Sequence, residues 1–112
     1  MRKPLLLLPL LLLVPVSQVA AADTRSVSVR DDYFGSNRNS APTVTVDRND
    51  TVVWRFVGRS EHNVVVTRGP SRFRSDLLSR GDRYRKKLRA SGTYRIVCTV
   101  HQPDMRMTLR VR

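Results

Sequence analysis

From Ser26 to the C-terminal residue, apolar and polar side chains alternate, and no stretch carries the spacing of an amphipathic helix. Ser26–Arg30 reads SVSVR and Thr43–Val46 reads TVTV. Thr51–Val57 reads TVVWRFV, which puts Val52, Trp54 and Phe56 on one face. His62–Thr67, Arg83–Leu88, Thr93–Cys98 and Met105–Arg112 continue the pattern, Arg83–Leu88 most weakly. The gaps hold turn residues: Asp47-Arg48-Asn49-Asp50, Arg68-Gly69-Pro70-Ser71, Arg80-Gly81-Asp82 and Ala90-Ser91-Gly92. Seven or so short strands this close together predict an all-β fold, an antiparallel sandwich or a small barrel. The irregular stretch Arg68–Gly81 has room for one helical turn around Leu77-Leu78.

The first residues do not belong to that pattern. Arg2 and Lys3 precede an apolar run, Leu5–Val16, and Ala20-Ala21-Ala22 follows it. The run is too short to span a bilayer, and the order basic, apolar, small is that of a secretory signal peptide. The expected organisation is a signal peptide over 1–22 and one domain over 23–112, exported to the periplasm or the cell exterior, with no membrane span in the mature chain. Such a domain buries one modest core, which argues against a large enclosed active site. Exported domains favour disulfides, yet Cys98 is the single cysteine of the 112-residue chain. It is therefore buried, paired between chains or used chemically.

From Asp23 onward there are 19 basic and 9 acidic residues, a net charge of +10. Such a surface attracts anionic partners. Export argues against nucleic acid, and the charges are scattered along the chain rather than massed. The bland reading of these charges is a solvated basic exterior.

Parity then groups the residues able to bind metal. Met105 shares the parity of Met107, Leu109 and Val111; Cys98 shares that of Tyr94 and Ile96; His62 shares that of Val64 and Val66. All three therefore face the core, each near a strand end. His101 follows Cys98 in the loop between the last two strands. Two imidazoles and a thiolate with a weak thioether are the donors of a blue copper site. Zinc accepts similar sets, so the donors alone leave the metal open.

The motifs go further. TVTVDRNDTVVWRF, SEHNVVV, FRSDLLSRGDRYRKKL and SGTYRIVCTVHQPDMRMTLRV together resemble the small cupredoxins of the plastocyanin and amicyanin type, over nearly the whole of 23–112. The resemblance implies an all-β Greek-key sandwich of seven or eight strands and one type 1 copper held by His62, Cys98, His101 and Met105. It implies that the Asn63 side chain ties to the Thr99 region. It also implies that the His101 ring edge, flanked by Gln102 and Pro103, is the exit for electrons.

The chain departs from the family pattern in several places. Asn49 and Met107 stand where the family has glycine, and Met107 becomes a competing axial donor. Three residues separate His101 from Met105, a spacing between those of amicyanin-like and plastocyanin-like loops. Lys86 has inward parity at a position usually apolar. The reading that follows is a monomeric one-electron carrier, not an enzyme, whose redox partner protein is acidic. The alternatives are a copper carrier that delivers metal, and a metal-free cationic protein that binds anions or surfaces.

Overall fold

The computed structural model describes residues 1–15, 21–101 and 104–112. Eight strands form: β1 (Thr24–Arg30), β2 (Tyr33–Phe34), β3 (Thr43–Val46), β4 (Thr51–Phe56), β5 (Val65–Arg68), β6 (Arg83–Lys87), β7 (Gly92–Val97) and β8 (Arg106–Val111). They make two four-stranded sheets in the orders β2-β1-β4-β6 and β3-β8-β7-β5. In each sheet one pair is parallel, β1 with β4 and β3 with β8. The alternation is realised as burial. Val27 and Val29, Val52, Trp54 and Phe56, Tyr94 and Ile96, and Met107, Leu109 and Val111 fill the space between the sheets. Removing this apolar surface from water is the main favourable contribution to folding.

Besides the two parallel pairs, where the strand spacing predicts antiparallel neighbours, two features depart from the sequence reading. The two-residue strand β2 was not expected; its partner register, Arg30 with Tyr33, leaves Asp31-Asp32 as a tight turn. Arg68–Gly81 forms no helical turn. It runs back beside the chain from His62 to Val66 and supplies that edge with backbone partners. The His62 N–H donates to Leu78 O (3.0 Å), the Leu78 N–H to His62 O (2.8 Å), and the Val66 N–H to Phe73 O (3.0 Å). Backbone groups at a covered sheet edge need such partners, and a helical turn around Leu78 would have withdrawn them.

Lys86 is half-buried on β6, and its Nζ lies 5.6 Å from the centroid of the Phe73 ring. The stem covers apolar surface while the ammonium meets an aromatic face. Asn49 has φ 75°, so the family's glycine position is a left-handed turn, which Asn tolerates better than most residues. The Tyr94 hydroxyl donates to Ala90 O at 2.7 Å, pinning the entry to β7 in the manner of a tyrosine corner.

Candidate metal centre

β7 and β8 form a hairpin, and its loop brings three sulfur or nitrogen side chains to one end of the sandwich. The Cys98 N–H donates to Met105 O (3.0 Å), the Met105 N–H to His101 O (3.1 Å) and the His101 N–H to Cys98 O (3.3 Å). Cys98 and Met105 therefore face each other across the last rung of the hairpin, with His101 in the turn they enclose. His62 comes from outside that hairpin and is positioned by its bridge to Leu78.

His62, Cys98 and Met105 are fully buried, as parity required. Nδ1 of His62 lies 3.8 Å from Cys98 Sγ, and Nδ1 of His101 lies 3.6 Å from the same sulfur. One donor atom from each of the three residues lies within 4.8 Å of the others. Metal–nitrogen and metal–sulfur bonds of about 2.0 and 2.3 Å, opened to tetrahedral or trigonal angles, give N···S edges of about 3.5–3.7 Å. The observed separations of 3.8 and 3.6 Å match those edges to about 0.1 Å, and the donor chemistry is that of blue copper, so the residues fit the metal.

The surroundings fix each donor further. The Asn63 side chain makes two bonds to Thr99, Nδ2–H donating to Thr99 Oγ1 and Oδ1 accepting from the Thr99 N–H, each at 2.8 Å. They tie the chain after His62 to the chain after Cys98. Nε2 of His62 meets Asp31 Oδ1 at 3.0 Å, and Nε2 of His101 meets Asp32 Oδ1 at 3.4 Å. Asp31 also accepts the N–H groups of Ser60 and Arg59, each at 3.0 Å. Those two backbone donors, then the His62 ring, hold the Asp31 carboxyl well below the usual carboxylate range. Gly58 makes the approach possible. A Cβ there would sit 2.5 Å from Asp31 Oδ1 and 2.9 Å from His62 Nε2.

Sequence reasoning missed both aspartates. An Asp-Asp pair between two apolar runs reads as turn chemistry, and nothing local links it to histidines far along the chain.

Met107 is buried, but its Sδ accepts the Trp54 Nε1–H at 3.4 Å. The competing thioether is thus occupied in the core, on the rung where Met107 pairs with Ile96. The His101 side chain keeps 28% of its exposure. Gln102 and Pro103, expected to flank it, lie outside the described residues.

The profile of the family described as copper binding proteins, plastocyanin/azurin family, matches residues 35–112. No curated protein sequence matches the chain. Among solved structures it is similar to amicyanin from Paracoccus versutus, at 26% identity and a TM-score of 0.66, over 83% of this chain and 85% of that one. A reduced Cu(I) form of an amicyanin variant at pH 4 matches at 23% identity and a TM-score of 0.66, over 86% and 87% of the two chains. The oxidised state of another amicyanin variant matches at 24% identity and a TM-score of 0.67, over 80% and 82%.

Proposed function

The chain belongs to the plastocyanin/azurin family of copper-binding proteins, and from that premise we propose that it is an exported one-electron carrier. His62, Cys98 and His101 hold its type 1 copper, with Met105 as the axial donor. The observation that carries this reading is the pair of Nδ1-to-Sγ separations, 3.8 and 3.6 Å, around one buried sulfur. Bound copper supplies a one-electron couple at that point.

The chain's own part is to hold the donors and exclude water. His62, Cys98 and Met105 are closed off by the sandwich, and His101 alone keeps a partly exposed edge. A catalytic metal site keeps an open position for substrate. A site closed in this way favours electron carriage over catalysis, and the His101 edge is the shortest way out. Met105 is favoured over Met107 because it faces Cys98 across the closing rung, whereas the Met107 sulfur is bonded to Trp54.

Export is supported by the first residues. Arg2 and Lys3, the apolar run Leu5–Val16 and Ala20-Ala21-Ala22 follow the order of a cleavable leader. Among the described residues, no helix is long and apolar enough to cross a membrane. An acidic redox partner is supported by charge. Arg30, Arg38, Arg59 and Arg80 line a cleft beside Asp31, which puts positive potential next to the metal centre.

The test is the absorption and spin-resonance spectrum of the protein with one equivalent of Cu(II). An intense blue band is expected, because a short copper–thiolate bond in this donor set gives visible charge transfer. Cys98→Ser removes the band, since oxygen cannot replace the thiolate. A colourless Cu(II) complex would overturn the electron-carrier reading. Slow electron self-exchange combined with rapid transfer of the metal to an acceptor protein would turn the reading to copper delivery.

A further inference from the structure

We propose that Asp31 and Asp32 form a carboxylate bracket that fixes the tautomer of both metal-binding imidazoles and lowers the reduction potential of the centre. The inference rests on the copper reading above. Its starting point is a pair of adjacent residues that reach two different histidines. Asp31 Oδ1 lies 3.0 Å from His62 Nε2, and Asp32 Oδ1 lies 3.4 Å from His101 Nε2.

Consecutive side chains in an extended strand point to opposite faces. Asp32 escapes this alternation because its φ is 70°, a left-handed conformation that Asp tolerates better than most residues. The β1–β2 turn thereby presents both carboxylates to the same end of the sandwich. Backbone outside the usual regions is kept where a site requires it.

A neutral imidazole carries one N–H. With a carboxylate at Nε2, that N–H sits on Nε2, and the lone pair is left on Nδ1, the atom that faces Cys98 Sγ in both rings. For His62 the bracket is rigid. Asp31 is anchored independently by the Ser60 and Arg59 N–H groups, and the absence of a Cβ at Gly58 lets carboxylate and ring close up. For His101 the contact is a 3.4 Å charge approach without hydrogen-bond geometry, so the carboxylate acts there through its field alone, from an Asp32 side chain 66% exposed against 36% for Asp31.

Negative charge beside the centre favours Cu(II) over Cu(I), so the pair lowers the potential. Solvent screens exposed charges more strongly, so Asp31 contributes more than Asp32.

The experiment uses the full chain in two states. In the metal-free protein, nitrogen-15 NMR reads the tautomer of each ring. The Nε2–H form is expected for both histidines, and Asp31→Ala is expected to give a mixture for His62. In the copper-loaded protein, redox titration is expected to give a higher potential for Asp31→Asn than for wild type, and a smaller rise for Asp32→Asn. Asp47→Asn, at the far end of the sandwich, serves as the control and leaves the potential unchanged. Asp32→Asn leaves the Asp31 anchors in place, so it carries the test if the Asp31 variants fail to fold. An Nδ1–H tautomer in the metal-free wild type would overturn the positioning role. Equal potentials for wild type and the Asn variants would overturn the electrostatic one. A wild type that stays colourless with Cu(II) would instead overturn the copper reading, and the tautomer measurement would still decide the bracket.

Discussion

Met105 and Met107 share a parity, so alternation alone gives them the same face and leaves both as axial donors. What separates them is a partner distant in sequence: Trp54 donates its Nε1–H to the Met107 sulfur, 3.4 Å away. Replacing Met107 by Leu keeps the volume roughly constant but leaves a fully buried indole N–H without an acceptor. The expected cost is about 1–3 kcal/mol of stability, with the blue spectrum unchanged. Met105→Leu is expected to do the reverse, keeping the fold and the colour but raising the reduction potential, because losing a weak donor disfavours Cu(II). Chemical denaturation and redox titration of the two variants separate the roles. A potential that moves with Met107 and not with Met105 would reverse the assignment.

At the scale of the element, the strands were legible because period-two alternation in a half-buried sheet is imposed by geometry, residue by residue. The inward facing of His62, Cys98 and Met105 was legible for the same reason, whereas His101 lies in a loop without a period and was pointed to by the cupredoxin-like motif alone. The parts that were not legible depend on contacts between distant segments. β2 is two residues long and shows no period of its own. The path of Arg68–Gly81 is set by the backbone groups it must satisfy on the His62 edge, and Leu77-Leu78 in isolation suits a helix better. Asp50 illustrates the same point in a turn. Its carboxylate accepts the Asp23 N–H and the Asp47 N–H, each at 2.8 Å, joining the start of β1 to the β3–β4 turn. The Asp23 N–H first, and then the Asp47 N–H, lower its pKa below the ordinary value of 3.8. A carboxyl whose folded pKa is depressed stabilises the fold above its unfolded pKa, and that contribution is lost as pH falls through the folded value. Asp50→Asn is therefore expected to melt below wild type at neutral pH, with the gap closing as the pH drops below about 4. Melting temperatures across an acid series check this, and a gap independent of pH would exclude the charge as its source.

On the scale of the whole molecule, the +10 charge from Asp23 onward is spread over both sheets, but the four arginines around the cleft beside Asp31 give it a local focus. If that face meets an acidic partner, association slows markedly as salt rises, because charges more than about 8 Å apart are largely screened at physiological ionic strength. Copper affinity, set by buried donors, is expected to change little. Stopped-flow rates with an acidic redox protein at increasing salt measure the effect, and a flat profile would return the arginines to a role in solubility. The contact between Asp23 and Asp50 has a different reach. In the full chain the donor at Asp23 is an uncharged peptide N–H, 2.8 Å from a carboxylate that is 7% exposed. Cleavage of a leader after Ala22 would turn that same nitrogen into a terminal ammonium facing the same oxygen. A hydrogen bond to a charged acceptor would become a bond between two opposite charges. Maturation would then do more than remove an apolar tail: the cut itself would supply the cation that locks β1 to the turn beside it, and the processed protein would be the better-fastened one.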